Sequence, residues 1–156
     1  MNIFYLSSDP EEAARCHVDR HVVKMLTEYV QILCTVRRLQ GLEAPYRLSH
    51  PHHPCVRWAA ESLDHWLWLK QLAQALHAEY TFRYGKLHKA GLVIESLEAP
   101  PLPDAGFREP PQVMPEEYRQ ASAIEAYRTY YRLGKAHLAS WKKRPPPDWY
   151  TEPPET

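Results

Sequence analysis

The chain has 156 residues, of which 44% are hydrophobic, so it is long enough to form one globular core without disulfides or a metal. Lysine plus arginine equals aspartate plus glutamate at 19 each, which excludes the strong overall positive charge of a protein that binds nucleic acid by charge alone. Three cysteines without a CxxC pair argue against a disulfide framework, and no apolar run is long enough to span a membrane. We therefore expect a cytoplasmic protein with no membrane partner.

The N-terminal part predicts an apolar segment and then one long helix. Residues 2–6 are compatible with a short strand or with an extended arm on the core. From Asp9 to Gln40 the pattern predicts a single helix, because Asp9 can cap it, Pro10 suits its first turn and Gly41 is a good stop. Apolar residues recur every three or four positions and predict a core-facing stripe: Val18, Val22, Leu26, Tyr29, Leu33 and Val36.

A second set of residues at the same spacing is polar and predicts one hydrophilic face of this helix: His17, His21, Lys24, Glu28, Gln31 and Thr35. Such a face either meets solvent, which is the usual case, or lines a functional site. Glu28 is the best acid–base candidate on it, and His21, His17 and Lys24 are the neighbouring catalytic candidates. The alternative for Glu28 is a surface ion pair with Lys24 one turn away.

A histidine- and proline-rich loop is predicted to connect the first helix to a second long one. The loop covers residues 44–54, and the second helix begins near Pro54 and ends at Gly85. His50 and His53 are candidate substrate-binding residues in this loop. The alternative is a turn whose backbone is set by prolines and in which His53 caps the second helix.

The C-terminal part predicts a long loop, a third helix and a tail. Six prolines between residues 100 and 115 argue against regular structure in residues 98–114. Ser122-Ala-Ile-Glu125 is a capping box that predicts the start of a third helix, which continues to about Lys142. The expected fold is therefore all-α, with a single compact helical domain in residues 1–144 and a Pro-rich aromatic tail in residues 145–156.

Nine histidines raise the question of a metal centre. The possible ligands are Cys16, His17, Asp19, His21, His50, His52, His53 and His88. The chain has no HExxH motif and no cysteine pair, and it has no Gly-rich phosphate loop. We therefore expect no bound metal and no cofactor.

Two groups of residues suit contact with phosphates and bases. The first follows the second helix and consists of Arg83, Lys86, His88 and Lys89. The second is Trp149 and Tyr150, which come shortly after three basic residues and suit base stacking beside phosphate contacts. The alternatives are a solvated helix end for the first group and a tail folded back over the core for the second.

Four segments together resemble one protein family. Asp19-Arg-His21-Val-Val followed by Glu28 resembles its Asp-x-His motif with a catalytic glutamate on the first helix, and the second long helix is similar in length and position. Met114-Pro-Glu-Glu-Tyr-Arg119 resembles its Pro-x-Glu-aromatic-Arg segment, and Arg144-Pro145 before Trp149-Tyr150 resembles its C-terminal run. The family is that of the small all-helical pyrimidine-dimer DNA glycosylases typified by endonuclease V of T-even phages.

The resemblance implies a reaction. In that family the N-terminal amine, freed by removal of Met, attacks the sugar C1′ of a damaged nucleotide to form a Schiff base, while the glutamate handles protons. By position, Glu28 would take the acid–base role and His21 a positioning role. An α-amine ordinarily has a pKa of about 7.7–8.0 and is a usable nucleophile near neutral pH.

The chain also differs from the family at the same face. Asn2 has a side chain that is usually too large for removal of Met1, so the amine would belong to Met1 or be absent. Thr27 and Gln31 stand where the family has arginines, which removes two cations from a face that should grip phosphates.

We therefore expect a DNA-acting enzyme, a DNA glycosylase or lyase acting on a damaged or modified pyrimidine nucleotide, with DNA or a nucleotide as its partner. One alternative is a phage-like enzyme that modifies pyrimidine bases, and the other is a non-catalytic helical nucleic-acid-binding or accessory module. No protein partner is indicated. The expected substrate-binding residues are Asn2, His50, His53, Arg83, Lys86, His88, Lys89, Trp149 and Tyr150.

Overall fold

Two long helices, α2 (Asp19–Leu39) and α4 (Leu63–Tyr84), pack against each other at the centre of the computed structural model, which describes residues 1–151. Three shorter helices accompany them: α1 (Pro10–Cys16), α3 (Pro54–Glu61) and α5 (Ala123–Thr129). Short 3-10 and π turns occupy Gly91–Ser96, Glu116–Tyr118, Tyr130–Gly134 and Ala136–Leu138. Residues 1–151 contain no strand, and their apolar side chains form one core, which confirms the expected all-α single domain. None of these helices is long and apolar enough to cross a membrane.

Residues 2–6 form an extended arm rather than a strand. Ile3 and Leu6 are fully buried, and Phe4 and Tyr5 are nearly so, which anchors the arm in the core. The Phe4 N–H donates to the Tyr29 hydroxyl at 3.1 Å, and the Leu6 carbonyl accepts from the Arg128 side chain at 3.0 Å. Side chains therefore satisfy the backbone groups that a neighbouring strand would otherwise pair.

The prediction of one helix from Asp9 to Gln40 is wrong at His17 and Val18, where the backbone is extended and separates α1 from α2. The break frees carbonyl groups that an unbroken helix would use itself. Arg83 donates to the carbonyls of Arg15 and His17, and the Trp141 indole donates to the carbonyl of Cys16. Distant side chains thus stabilise a break that no local proline or glycine indicates. The predicted cap at Asp9 and stop near Gly41 are confirmed.

The second predicted helix is also divided, at Ser62, into α3 and α4. Ser62 is extended, and its hydroxyl donates to the Gly106 carbonyl at 2.6 Å. The next N–H, that of Leu63, donates to the Pro103 carbonyl at 2.9 Å. The proline-rich segment therefore replaces the helical hydrogen bonds at this point. The start at Pro54 and the left-handed Gly85 at the end agree with the prediction.

The third helix begins at the predicted Ser122 cap but is much shorter than predicted. After Thr129 the chain widens into a π turn and leaves the helix near Gly134, where a Cβ atom would lie 2.6 Å from the Tyr130 ring. The chain then returns to the start of α2, where the Ser140 carbonyl accepts from the Asp19 N–H at 2.8 Å. A helix continuing to Lys142 could not make this return.

The first part of the predicted tail packs back on the helices. The Trp149 ring lies 6.2 Å from Tyr131, and the Arg128 guanidinium lies 5.2 Å from the Trp149 ring. Tyr150 contacts Trp141 edge to face at 4.8 Å. Trp149 and Tyr150 thus take the folded-back alternative, whereas residues 152–156 of the predicted tail lie outside the described part of the chain.

Gly91 is expected to be intolerant of a side chain. A Cβ atom there would overlap the imidazole of His77, which is held in place by accepting a hydrogen bond from the His88 N–H at 3.2 Å. Gly91→Ala should therefore lower the free energy of unfolding by about 1–3 kcal/mol, the usual cost of overpacking. Urea denaturation of Gly91→Ala in the wild-type and in the His77→Ala background checks this. An equal loss in both backgrounds would contradict the steric cause.

Candidate active site

The N-terminal amine and Glu28 form an ion pair. The Met1 nitrogen lies 3.0 Å from Glu28 Oε1, with side chains that are 4% and 16% exposed respectively. The extended arm and the middle of α2 bring these two groups together. Lys24 is exposed and forms no ion pair with Glu28 in the structure of residues 1–151. The alternative of a Lys24–Glu28 surface pair is therefore not found.

The Asn2 side chain holds the arm and not a substrate. Its Nδ2 donates to the Val113 carbonyl at 2.9 Å, while its Oδ1 accepts from the Ile3 N–H at 2.8 Å and from the Tyr127 hydroxyl at 2.7 Å. All of its polar atoms are therefore engaged within the protein, which corrects its assignment as a substrate-binding residue. The sequence does not indicate the contact between Asn2 and Tyr127, because the two residues are 125 positions apart.

His53 lies within electrostatic reach of the ion pair. Its Nδ1 accepts from the Cys55 N–H at 3.0 Å and caps α3, so a neutral His53 carries its proton on Nε2. Burial lowers the pKa of His53, the amine and His50 lower it further, and Glu28 opposes them. His53 thus combines the capping role with a position beside Met1 and Glu28.

The thiol of Cys55 also lies near the amine and Glu28 but is not a nucleophile at neutral pH. Burial raises its pKa to about 12, an effect that the positive amine only partly offsets. All three cysteines are free and buried. The amine of Met1 is therefore the better nucleophile in this neighbourhood.

A cavity of about 740 Å³ opens on the stretch of α2 that contains Glu28, although Glu28 itself is not part of its lining. One wall is α2, through Thr27 and Gln31, which flank Glu28 along the helix. The other walls are residues 45–49 of the histidine- and proline-rich loop and residues 88–90 after α4. Among residues 1–151, no acidic residue lines this cavity, whereas Arg47 and Lys89 do. It is a preformed hollow with a positive rim.

A second hollow, of about 650 Å³, lies near the other side of the arm. Val113, which holds Asn2, is part of its lining, together with Pro54 at the start of α3 and the exposed Arg119. Arg119 belongs to the segment that resembles the family's Pro-x-Glu-aromatic-Arg motif. It adds a cation to the lining of this second hollow.

The predicted polar face of the first helix is not continuous, which corrects the expectation for His17 and His21. His17 is fully buried and bonds the Ala13 carbonyl through Nδ1 and the Tyr29 hydroxyl through Nε2, at 2.6 and 2.7 Å. His21 is 4% exposed, bonds the Tyr131 hydroxyl at 2.7 Å and stacks on Phe4. Burial is the main cause that lowers their pKa values, to about 4 and about 3. Both belong to the core and not to the surface around Glu28.

Arg83 is also buried, which corrects its assignment to a substrate-binding surface. Its guanidinium is 0% exposed and contacts the carboxylates of Glu79 at 2.7 Å and Asp19 at 3.0 Å. Burial alone would raise the pKa of both carboxyls, but hydrogen bonds and the neighbouring arginines outweigh it and lower both values. Arg144 completes the cluster by a two-point contact with Glu79 at 2.9 Å. The aspartate of the Asp-x-His motif is therefore part of a structural charge cluster.

The remaining basic candidates divide between solvent and the cavity. Lys86 is exposed, whereas His88 and Lys89 contribute to the wall of the cavity. The structure thus keeps two of the four residues of this predicted cluster beside the candidate site. His50 bonds Ser49, a lining residue, at 2.7 Å and so lies at its edge.

Among residues 1–151, no group of three or more histidine, cysteine, aspartate or glutamate side chains is arranged to hold a metal ion. No protein-family model, curated protein or solved structure matches the chain.

Proposed function

We propose that this chain is a DNA-acting enzyme of the glycosylase and lyase type, acting on a damaged or modified pyrimidine nucleotide. The observation that carries the proposal is the 3.0 Å contact between the Met1 amine and Glu28. A nucleophilic amine beside a carboxylate is the pair that this reaction needs. It also agrees with the family resemblance of the motif that contains Glu28.

The reaction would proceed through an imine. Met1 first releases its ammonium proton to solvent water, which leaves Glu28 ionised. The neutral amine then attacks C1′, and the base leaves with the electron pair of the glycosidic bond and takes a proton from water. Glu28 accepts a proton from the Met1 nitrogen that is now bonded to C1′. It then gives this proton to the sugar ring oxygen as the ring opens to the protonated imine. At an abasic site the same amine condenses with the C1′ aldehyde and releases water.

The surroundings of the pair favour a nucleic-acid substrate. Arg47 and Lys89 line the adjoining cavity, and Arg119 lines the second hollow. None of the three forms an ion pair within residues 1–151, so they are available to phosphate oxygens. Local cations thus replace the overall positive charge that the composition lacks.

Borohydride trapping on duplexes that carry an abasic site or a thymine dimer tests the proposal. We expect a covalent adduct with the wild-type protein, and a trapping rate about 10²–10⁴-fold lower with Glu28→Gln, because the proton acceptor is lost. Intact mass and peptide mapping should locate the adduct on the Met1 amine. Glu11→Gln, which removes an exposed carboxylate on α1, is the matched control and should trap at the wild-type rate.

A second variant separates chemistry from folding. A short Gly-Ser extension before Met1 moves the amine away from Glu28, and should abolish trapping while leaving the melting temperature nearly unchanged. Wild-type protein with a free Met1 amine that forms no adduct on either duplex would refute the proposal. That outcome would favour the non-catalytic nucleic-acid-binding module.

One observation favours a second candidate, a pyrimidine base-modifying enzyme. The α2 wall of the cavity is formed by the neutral Thr27 and Gln31, whereas its cations, Arg47 and Lys89, lie on the other walls. A neutral polar wall suits contact with a base better than contact with a phosphate. Recovery of a modified base in intact DNA, without strand cleavage or an adduct, would support this candidate over the glycosylase.

A further inference from the structure

We propose that the cavity beside Glu28 binds a single nucleotide unit, with its base against Gln31 and Thr27 and its phosphate against Arg47 and Lys89. This inference rests on the proposed function, because it names the unit of substrate that the site receives. It is nevertheless tested by equilibrium binding, which requires no reaction at the amine.

The size and rigidity of the cavity suit such a ligand. Its volume of about 740 Å³ lies within the usual range for small-molecule sites. Arg38 of α2 holds the loop wall by donating to the carbonyls of Tyr46 and Ala44, each at 2.6 Å. The Ser49 N–H donates to the Thr35 hydroxyl at 3.0 Å. The loop is therefore fixed against α2 before any ligand arrives.

The wall after α4 is equally fixed. His88 donates through Nε2 to the Val23 carbonyl at 3.0 Å and accepts through Nδ1 from the Ala90 N–H at 3.0 Å. Its own N–H donates to the His77 imidazole at 3.2 Å. Because both ring nitrogens are engaged, His88 acts as a rigid wall and not as an acid or base.

Unused polar groups on α2 face this hollow. Thr27 and Gln31 are half-buried lining residues, and neither side chain forms a hydrogen bond with the described residues. A primary amide presents a donor and an acceptor side by side, which matches the edge of a nucleobase. Tyr46, also in the lining, adds an aromatic ring on which a base can stack.

The charge of the lining specifies an anion at the rim. Within the part of the chain that the structure describes, its charged side chains are Arg47 and Lys89, both exposed. Thr27 directly precedes Glu28, so a nucleotide held here lies against the same stretch of α2 as the Met1–Glu28 pair, although neither member of the pair belongs to the lining. A nucleotide accounts for the whole lining better than a simple anion does. Its base would contact the polar side chains of α2, and its phosphate would contact the two cations.

Calorimetric titration of Glu28→Gln protein with dTMP, thymidine and inorganic phosphate tests the inference. We expect dTMP to bind at least about tenfold more tightly than either fragment, since both halves of the site contribute. Gln31→Leu and the pair Arg47→Ala with Lys89→Ala should each weaken dTMP binding about tenfold. Thr27→Trp, which fills the cavity, should abolish binding without lowering the melting temperature. Arg57→Ala, an exposed cation outside the lining, is the matched control.

Equal affinity for dTMP and inorganic phosphate would overturn the inference, because the hollow would then be a plain anion site. Unchanged dTMP binding by Thr27→Trp would also overturn it, since the nucleotide would lie elsewhere. A dT oligonucleotide with the same variant pattern but tighter binding identifies the nucleotide as part of a strand, and binding of dTMP alone identifies a free nucleotide.

The proposed amine chemistry and the proposed nucleotide cavity can be refuted independently. Borohydride adducts that form at the wild-type rate in Thr27→Trp would leave the amine chemistry standing and remove the nucleotide cavity. Specific dTMP binding by a protein that never forms an adduct would support the nucleotide cavity and refute the amine chemistry.

Discussion

The free energy of unfolding is expected to fall by several kcal/mol when the pH is lowered from 7 to 4, because His17 and His21 are buried in neutral form. Their pKa values are lowered from 6.5 to about 4 and about 3, whereas in the unfolded chain both protonate near 6.5. Below pH 6.5 the unfolded state therefore binds more protons than the folded state, so stability decreases as the pH falls towards the folded values. At pH 4 the loss is about 3 kcal/mol for each histidine.

Burial is the main reason why the folded protein keeps both rings neutral, and each ring is held in place by hydrogen bonds. His17 donates through Nδ1 to the Ala13 carbonyl, and its Nε2 faces the Tyr29 hydroxyl, which already accepts from the Phe4 N–H. His21 faces the Tyr131 hydroxyl, which accepts from the Val18 N–H at 3.4 Å. Protonation would place a positive charge on a ring that has little or no contact with water, which burial disfavours.

Urea denaturation at pH 7 and at pH 4.5 measures this effect. The pair His21→Phe with Tyr131→Phe removes both hydrogen-bonding partners together and should remove about half of the pH-dependent loss. His137→Phe changes an exposed histidine and should leave the loss unchanged. Equal unfolding free energies of the wild-type protein at the two pH values would contradict the neutral, buried assignment.

Arg83→Met is expected to destabilise the protein by about 3–5 kcal/mol, the usual cost of removing one member of a buried charge cluster. The Arg83 guanidinium contacts Glu79 and Asp19 and donates to the carbonyls of Arg15 and His17 at 3.0 and 2.8 Å. Methionine fills the volume but removes the guanidinium donors of the Arg15 and His17 carbonyls and one donor from each carboxylate. The same contacts close the gap between α1 and α2, so the loss should include unfolding of that junction.

Denaturation curves of three variants separate the buried position from surface charge. Arg144→Met removes a residue that shares only Glu79 and is 31% exposed, so its effect should be smaller. Arg57→Met, at an exposed position on α3, should change the unfolding free energy little. A loss in Arg83→Met no larger than that in Arg57→Met would show that the cluster contributes nothing to stability.

The candidate site was only partly predictable. Glu28 could be singled out from its place on an amphipathic helix and in the Asp-x-His motif, and His53, His88 and Lys89 from their chemical type. His17, His21 and Arg83 are of the same chemical types, yet the fold places them in the interior. Periodicity groups residues on one helix but does not reveal which neighbour covers each of them.

The sequence by itself determined the all-α class and several helix ends, because their causes are local. Asp9 accepts from the Glu11 N–H, Ser122 accepts from the Glu125 N–H, and Gly85 adopts a left-handed conformation that suits its lack of a side chain. Each of these effects acts within one helical turn, so neighbouring residues are enough to specify it.

Only the tertiary structure decided where the long helices divide and which groups meet at the site. The gap before α2 depends on Arg83 and Trp141, and the gap before α4 depends on the segment near Gly106. The Met1–Glu28 pair depends on an arm held by Asn2 and Tyr127. In each case a backbone or charged group finds its partner far along the chain, and the free energy that selects the arrangement comes from contacts that no local pattern contains.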